Sequence, residues 1–568
     1  MSASNKKKLR NELNAAAMTE KQKQELKEAK TLKAYTLTFA VVMVLVVAIV
    51  VGVVVSPLID GALRRNSHAI TVGDHELTTA ELTYFYVDAI SEYQNEVYST
   101  YYSTFGSYWS YMLGFDTSKP LDEQVKDKEK NETWADYFIN EAIENARGVY
   151  TLYDNAMAEN YKLTEDEQSE IDSTIKMLEV YAAYYGYSSV KSYLKSTYGN
   201  GVTVDEYTDY YTISTIASSY YNAHSDSLEY EASDYRAYEK DKQTEYNRYS
   251  YIYYYVNYTA YLGEGTKDED GKVTYTDEQR EEARKLAKAD ADALKAAGIT
   301  DKESFDKAVQ ALAVNKIDES DKDAKAATAT EIKSYFPGSI NLPDKTRNWI
   351  TNTERKAGDL DAIDMTVVSY TCETDHEHTD SCAKTENTNG YYVVLFTECD
   401  KNEMYLVNAS HILVSFEGGT KDSSGNTTYS VKEKETAKAK AEELLKQWKD
   451  GEATLESFKK LAEEKSTDPG SKSNGGVYED IYPDQMEEAF NDWCFDEARK
   501  EGDTGIVETE YGYHIIYFIS HSDLTYRDSL IDAEMRAEDT EEWKDGLVEK
   551  VKATIIDLKR MDYDLVLS

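Results

Sequence analysis

Two long stretches of this chain repeat one another. YLGEGTKDEDGKVTYTDEQREEARKLAKADADAL at 261–294 parallels SFEGGTKDSSGNTTYSVKEKETAKAKAEELL at 415–445. LPDKTRNWITNTERKAGDLDAI at 342–363 parallels YPDQMEEAFNDWCFDEARKEGDTGIV at 482–507, and GYYVVLFTECD at 390–400 parallels GYHIIYFISHSD at 512–523. Similarity kept in one order over this length implies two copies of one fold. In the second copy a strand, MYLVNASHILVSF, leads through a Gly/Ser-rich loop to a helix over Val431–Lys449. Ala437, Ala441, Leu444, Leu445 and Trp448 recur there at helical spacing, and a second helix follows over Leu455–Glu464. The fold class expected for both copies is α+β.

The 568 residues allow three or four folded units. Acidic residues number 106 against 63 Lys and Arg, for a net charge of -43, so the surface repels phosphate backbones and nucleic acid is excluded as a partner. Among the hydrophobic residues 49 are Tyr, whose hydroxyls need partners when buried, so amphipathic cores and clefts are expected. Four Cys rule out a disulfide-dense scaffold.

From Ala34 to Ile59 the chain carries no charge and has no polar stripe, which predicts one transmembrane helix over 34–59. Residues 1–33 are net basic, and the positive-inside rule places this tail in the cytoplasm and the bulk of the chain outside the cell membrane. Neither a cleavage site nor a lipidated Cys follows the stretch, so the anchor is read as uncleaved. Residues 66–246 form a helical region. Trp134, Phe138, Ala142, Ala146 and Tyr150 share one helix face, Thr164 and Glu167 form a capping box, and Tyr101–Gly114 reads as a loop. The repeats then occupy 247–402 and 403–521, and 522–568 is a C-terminal helical segment.

Residues 403–521 resemble the parvulin-type peptidylprolyl isomerases. The resemblance rests on the ASHILV strand with His411, the Ser-Thr-Asp turn at 466–468, Gly475-Gly476, the helix with Gln485, Met486 and Phe490, and the closing strand Tyr511-Gly512-Tyr513-His514-Ile515-Ile516. It implies a hydrogen-bonded network of His411, Asp468, Thr509 and His514 as the catalytic set, and a prolyl pocket of Met486 and Phe490 with Tyr478 where the family more often has Leu. No cofactor is required for isomerisation. The first copy has no His in Tyr251–Val256, and Tyr392 stands where His514 stands, so it is a degenerate parvulin-like domain expected to bind or brace. Gly475-Gly476-Val477-Tyr478-Glu479 departs from the family's Gly-Gly-Asp-Leu-Gly, which bears on pocket shape. A basic cluster for phosphate is absent from Phe416–Ser430, which offers only Lys421 beside Glu417 and Asp422.

Cys372, His376, His378 and Cys382 interrupt the first copy. Two thiolates and two imidazoles at this spacing suit a structural zinc ion, and a Cys372–Cys382 disulfide suits the same residues equally well. Cys399 and Cys494 lie in apolar sequence and are expected to be buried thiols.

The whole arrangement, an anchor, a helical chaperone-like region and parvulin-like domains, resembles extracytoplasmic foldases of the PrsA and SurA kind. That resemblance implies newly translocated, unfolded proteins with exposed Xaa-Pro bonds as partners. Two other readings stand beside it: a holdase using both parvulin-like domains as peptide-binding modules, and a surface adhesin or scaffold. A homodimer through the helical region is left open by the sequence.

Overall fold

Side-chain caps fix most helix starts in the chain. The computed structural model describes residues 42, 43, 46, 49, 52 and 56–563, apart from 268–270, 317–324, 372–382 and 422–424. It divides into two units, Met1–Leu228 with Arg536–Ser568, and Glu229–Met535.

From Ser56 the first unit runs through α1 (Ser56–Arg65) and a hairpin of β1 (His68–Val72) and β2 (His75–Thr78). Thr78 then caps α2 (Thr79–Phe105) reciprocally with Glu81. After the short pair β3 (Val125–Asp127) and β4 (Glu132–Thr133) come α3 (Trp134–Ala158), α4 (Glu165–Tyr184), α5 (Val190–Tyr198) and α6 (Val204–Ser227). Thr164 and Glu167 make the capping box of α4. Phe85, Tyr86 and Ile90 of α2 meet Phe138, Ile139, Ala142 and Ala146 of α3 in one core. A cavity of about 920 Å³ opens beside it, lined by Phe85, Asp88, Val149, Leu152 and Tyr210 among others.

Two expectations are corrected here. Among the described residues no helix is long and apolar enough to cross a membrane, so the transmembrane helix expected over 34–59 is not found. Most of that stretch lies outside the described residues; the helix at its end, α1, is short and carries Asp60, Arg64 and Arg65. The second correction concerns Tyr101–Gly114, which is helical to Phe105 and then forms a 3-10 segment over Gly106–Met112. Ring pairs four residues apart extend α2, Tyr98 with Tyr102 at 4.6 Å and Tyr101 with Phe105 at 6.1 Å.

In the second unit α7 (Ala232–Tyr238) precedes two runs of elements in the same order. The first is β5 (Arg248–Asn257), the hairpin β6 (Thr266–Lys267) and β7 (Val273–Thr274), α8 (Asp277–Ala296), α9 (Lys302–Ala311), β8 (Thr330–Tyr335), α10 (Asp344–Ile350), β9 (Leu360–Thr371) and β10 (Ala383–Asp400). The other is β11 (Tyr405–Ser415), the hairpin β12 (Thr420–Lys421) and β13 (Thr427–Thr428), α11 (Val431–Asp450), α12 (Leu455–Lys465), β14 (Val477–Ile481), α13 (Glu488–Cys494), β15 (Thr504–Glu508) and β16 (Gly512–Thr525). Each run folds into a four-stranded sheet, ordered β8-β5-β10-β9 and β14-β11-β16-β15.

Alternation along β11 sorts its side chains. Ile412 and Val414 pack on α11 and α12 with Ala437, Ala441, Trp448 and Phe458, whereas Val407 and Ala409 face Phe490 and Cys494 of α13. β16 does the same, with Tyr513 and Ile515 on the first side and Ile516 and Phe518 on the second. His411 and His514 fall on the side of α13 by this period.

The chain ends its described part with α14 (Tyr526–Val548), within which the division between units falls, and β17 (Ala553–Ile555). β17 pairs antiparallel with β1, Ile70 opposite Ile555. The C-terminal segment is therefore not helical throughout, because Thr554 and its neighbours supply the missing edge of the first hairpin.

Candidate active site

Neighbouring strands β11 and β16 bring the two histidines together. Leu413 lies opposite His514 and His411 opposite Ile516, so the imidazoles sit diagonally on one face of the sheet. Their Nδ1 atoms are 3.0 Å apart and the rings are stacked at 13°. His411 is 4% exposed and His514 7%, and the edge of Phe490 meets both rings at 5.6 and 5.5 Å.

A carboxylate and a hydroxyl terminate the pair. Asp468 Oδ2 lies 2.9 Å from His411 Nε2, and Thr509 Oγ1 lies 2.9 Å from His514 Nε2. Elimination places the protons. An ionised carboxylate only accepts, so His411 donates from Nε2 and, when neutral, presents a bare Nδ1. His514 must then donate from Nδ1 and accept at Nε2 from the Thr509 hydroxyl. The Thr509 oxygen in turn accepts from the Tyr511 N–H at 3.2 Å. Every donor has an acceptor with both imidazoles neutral.

The electrostatics agree with that assignment. The hydrogen bond from His411 holds the Asp468 carboxyl far below the ordinary carboxylate range, helped by Ser471 and the Gly470 N–H. Burial pushes the His514 pKa down to about 4, with the neighbouring His411 adding to the effect and Asp468 opposing it.

Two further groups on Asp468 escaped the sequence reading. Ser471 donates its hydroxyl to Asp468 Oδ2 at 2.5 Å and lies 3.0 Å from His411 Nε2. Tyr478 donates its hydroxyl to the same oxygen at 3.1 Å. Its ring stays in the half-buried cluster with Met486, Phe490 and Trp493, so it contributes both an apolar wall and a hydrogen bond. The available signal was the spacing Asp468-Pro469-Gly470-Ser471, a turn in which the aspartate collects the Gly470 and Ser471 N–H groups at 3.2 Å. Gly476 completes the floor. It donates no side chain, has φ +73, and brings its carbonyl 2.8 Å from the His411 N–H.

The site thus joins His411, His514, Asp468, Thr509, Met486, Phe490 and Tyr478. Cys372, His376, His378 and Cys382 lie outside the described residues, and no group of metal-binding side chains occurs among the described ones. Cys494 is buried at the end of α13, its thiol pushed up to about 12 by burial, whereas Cys399 is exposed on β10, contrary to expectation. Beside Thr509 a depression of about 370 Å³ is lined by Lys434, Glu487, Glu488, Glu508 and Glu510, a rim unsuited to phosphate.

Register identifies the corresponding positions of the first sheet. Gly390 lies opposite Asn257 as Gly512 lies opposite Ser415, which puts Tyr253 where His411 is and Tyr392 where His514 is. Their rings are 5.9 Å apart and pack with Ile332, Trp349 and Met365.

Residues 391–521 match the family described as the PPIC-type PPIASE domain. The second unit carries a PPIC-type peptidylprolyl isomerase domain. The chain is 31% identical over 132 residues to Foldase protein PrsA 1 of Listeria monocytogenes serotype 4b, covering 22% of this chain and 42% of that protein. It is 40% identical over 77 residues to Foldase protein PrsA 2 of Listeria monocytogenes serovar 1/2a, covering 14% and 25%. The crystal structure of PrsA from Bacillus subtilis aligns with 30% identity over 25% of this chain and 47% of that one, at a TM-score of 0.16. The chain therefore spans less than half the length of these relatives.

Proposed function

We propose that the protein is an extracytoplasmic foldase that binds unfolded, newly exported chains and catalyses cis/trans isomerisation of their Xaa-Pro bonds. The observation that carries this reading is the buried His411–His514 pair, held between Asp468 and Thr509 against the ring of Phe490.

Rotation about the Xaa-Pro bond must cross an amide resonance barrier of roughly 18–20 kcal/mol without making or breaking a bond. The site needs neither a nucleophile nor a cofactor for that step. It needs a dry surface that grips the prolyl ring and polar groups that suit a twisted amide better than a planar one. Phe490 and the half-buried Met486 and Tyr478 supply the first. The imidazole pair supplies the second: its protons are fixed by Asp468 and Thr509, so no reorganisation is required when the carbonyl turns.

Support for client binding comes from the first unit, whose cavity mixes aromatic and aliphatic walls with carboxylates and phenols. A chain that exposes both apolar and basic side chains would find partners there. The holdase reading is favoured by one observation, the replacement of both histidines by Tyr253 and Tyr392 in the first sheet.

Catalysed exchange at an Xaa-Pro peptide, measured by NMR with the full chain beside His411→Ala and Met486→Ala, tests the proposal. Acceleration that falls in folded variants is the expected result. No acceleration across varied residues before proline leaves the holdase.

A further inference from the structure

Arg248 opens the first strand of the first sheet, yet its side chain ends in the isomerase domain. It is 6% exposed, and its guanidinium is divided between two separate pieces of chain. Nε donates to Asn402 Oδ1 at 2.8 Å and Nη2 to Asp400 Oδ2 at 2.7 Å, both in the link between the two sheets. Nη1 donates to Asp484 Oδ2 at 2.8 Å and to the Pro483 carbonyl at 3.3 Å.

The second piece leads directly into the candidate site. Tyr482-Pro483-Asp484-Gln485-Met486 is the loop that delivers Met486 and then Phe490 to it. Asp484 holds φ +69, a left-handed conformation that persists only where surrounding contacts determine it. Those contacts are the single Arg248 Nη1 bond to its carboxylate and Asn491 Oδ1, which accepts the Asp484 N–H at 2.7 Å. Tyr482 is stacked on Tyr526 at 4.8 Å, and the Arg248 guanidinium lies 5.5 Å over the same Tyr526 ring. Two carboxylates, Asp400 and Asp484, pair the charge of this buried guanidinium, so losing one leaves a buried donor unsatisfied while the other still pairs the charge.

We infer that Arg248 is a positioning residue for the isomerase: the first sheet, which has lost its own histidines, sets the prolyl pocket of the second by clamping the loop 482–486. This rests on the proposed isomerase activity. The clamp acts on Met486 placement and hence on how the prolyl ring is held, while the His411–His514 pair is untouched. Its loss therefore weakens substrate binding more than turnover.

The test uses the full chain, labelled with 13C in the methionine ε-methyl groups, with Met486 assigned through Met486→Leu. Arg248→Met is expected to raise KM on the order of tenfold with kcat little changed, and to shift the Met486 methyl resonance. Asp484→Asn keeps a residue tolerant of the left-handed backbone, is solvent-facing and so safe for folding, and is expected to raise KM about threefold with a shift of the same sign. Arg527→Met is the control. Arg527 is equally buried at the same junction, but its guanidinium bonds Glu239, Asn247, Gln243 and Lys401, and none of these bonds goes to 482–486. It should leave KM and the methyl resonance unchanged. The inference fails if Arg527→Met raises KM as much as Arg248→Met, or if Asp484→Asn matches the parent in both readouts; should Arg248→Met not fold, Asp484→Asn decides. If the parent itself does not isomerise, the proposed function falls, and the methyl resonance alone reads the clamp.

Discussion

Acidification should reach His514 late, and the cost should appear in stability before it appears in the charge of that side chain. His514 is buried against Phe490 and beside a second imidazole, which lowers its pKa from 6.5 to about 4. An unfolded chain takes up this proton near pH 6.5, and the folded one only near pH 4. Between those values the unfolded state binds more protons, so the stabilisation is complete above 6.5 and is lost as the pH falls towards 4. The difference amounts to about 3 kcal/mol. Asp468, whose folded pKa is depressed, adds a further loss as the pH falls below its ordinary 3.8. NMR titration of 13C,15N-labelled histidine would follow the eight His in the chain, with His514 assigned through a His514→Gln variant. The 15N shifts also report the tautomers, expected as Nε2–H on His411 and Nδ1–H on His514. Asp468→Asn provides the sign test: removing the one charge that raises the His514 pKa should lower it further. A His514 that titrates near 6.5, or whose pKa rises in Asp468→Asn, refutes the proton arrangement and with it the neutral pair.

Gly476→Ala should destabilise the second unit by about 2 kcal/mol or more, because its φ of +73 is unfavourable for alanine and the new Cβ would lie 2.1 Å from the His411 carbonyl oxygen; urea unfolding together with the His411 15N shifts checks this. Thr509→Val keeps the shape but leaves the buried His514 Nε2 without a donor, at a cost of about 1–3 kcal/mol, while Thr509→Ser should retain most of the parent stability. Equal stability of the two Thr509 variants would show that the hydroxyl is not bonded as described.

Much of the site's placement is legible before any coordinates. Val407, Ala409 and His411 alternate with Ile412 and Val414, so the face that carries His411 follows from a period of two. That His514 faces it does not follow from periodicity, since the strands are far apart in sequence; it came from the resemblance to a known order of strands. Ser471 and the Tyr478 hydroxyl were missed for a different reason. Both act through the direction of a side chain leaving a turn or an edge strand, which spacing does not encode. The same limit hid Arg248, whose residue type reads as an ordinary surface charge at the start of a strand. Tyr101–Gly114 misled because a stretch rich in Gly, Ser and Tyr reads as a loop, while the i,i+4 ring contacts that extend the helix to Phe105 depend on phase. The uncharged stretch over 34–59 predicted a spanning helix from composition alone, and the described residues contain none.

The pairing of β1 with β17 bears on the order of events during synthesis. Ile70 leaves the ribosome early, but its partner Ile555 emerges only after both sheets of the second unit have been made. Until then the first hairpin presents an open strand edge, the kind of edge on which other chains can add. The second unit is, in this sense, a long insertion that can fold on its own schedule while the first waits. A ribosome-bound chain with Met535 outside the exit tunnel and Ala553 still within it should therefore display a protease-resistant second unit joined to a first unit that is still cleavable around His68–Thr78.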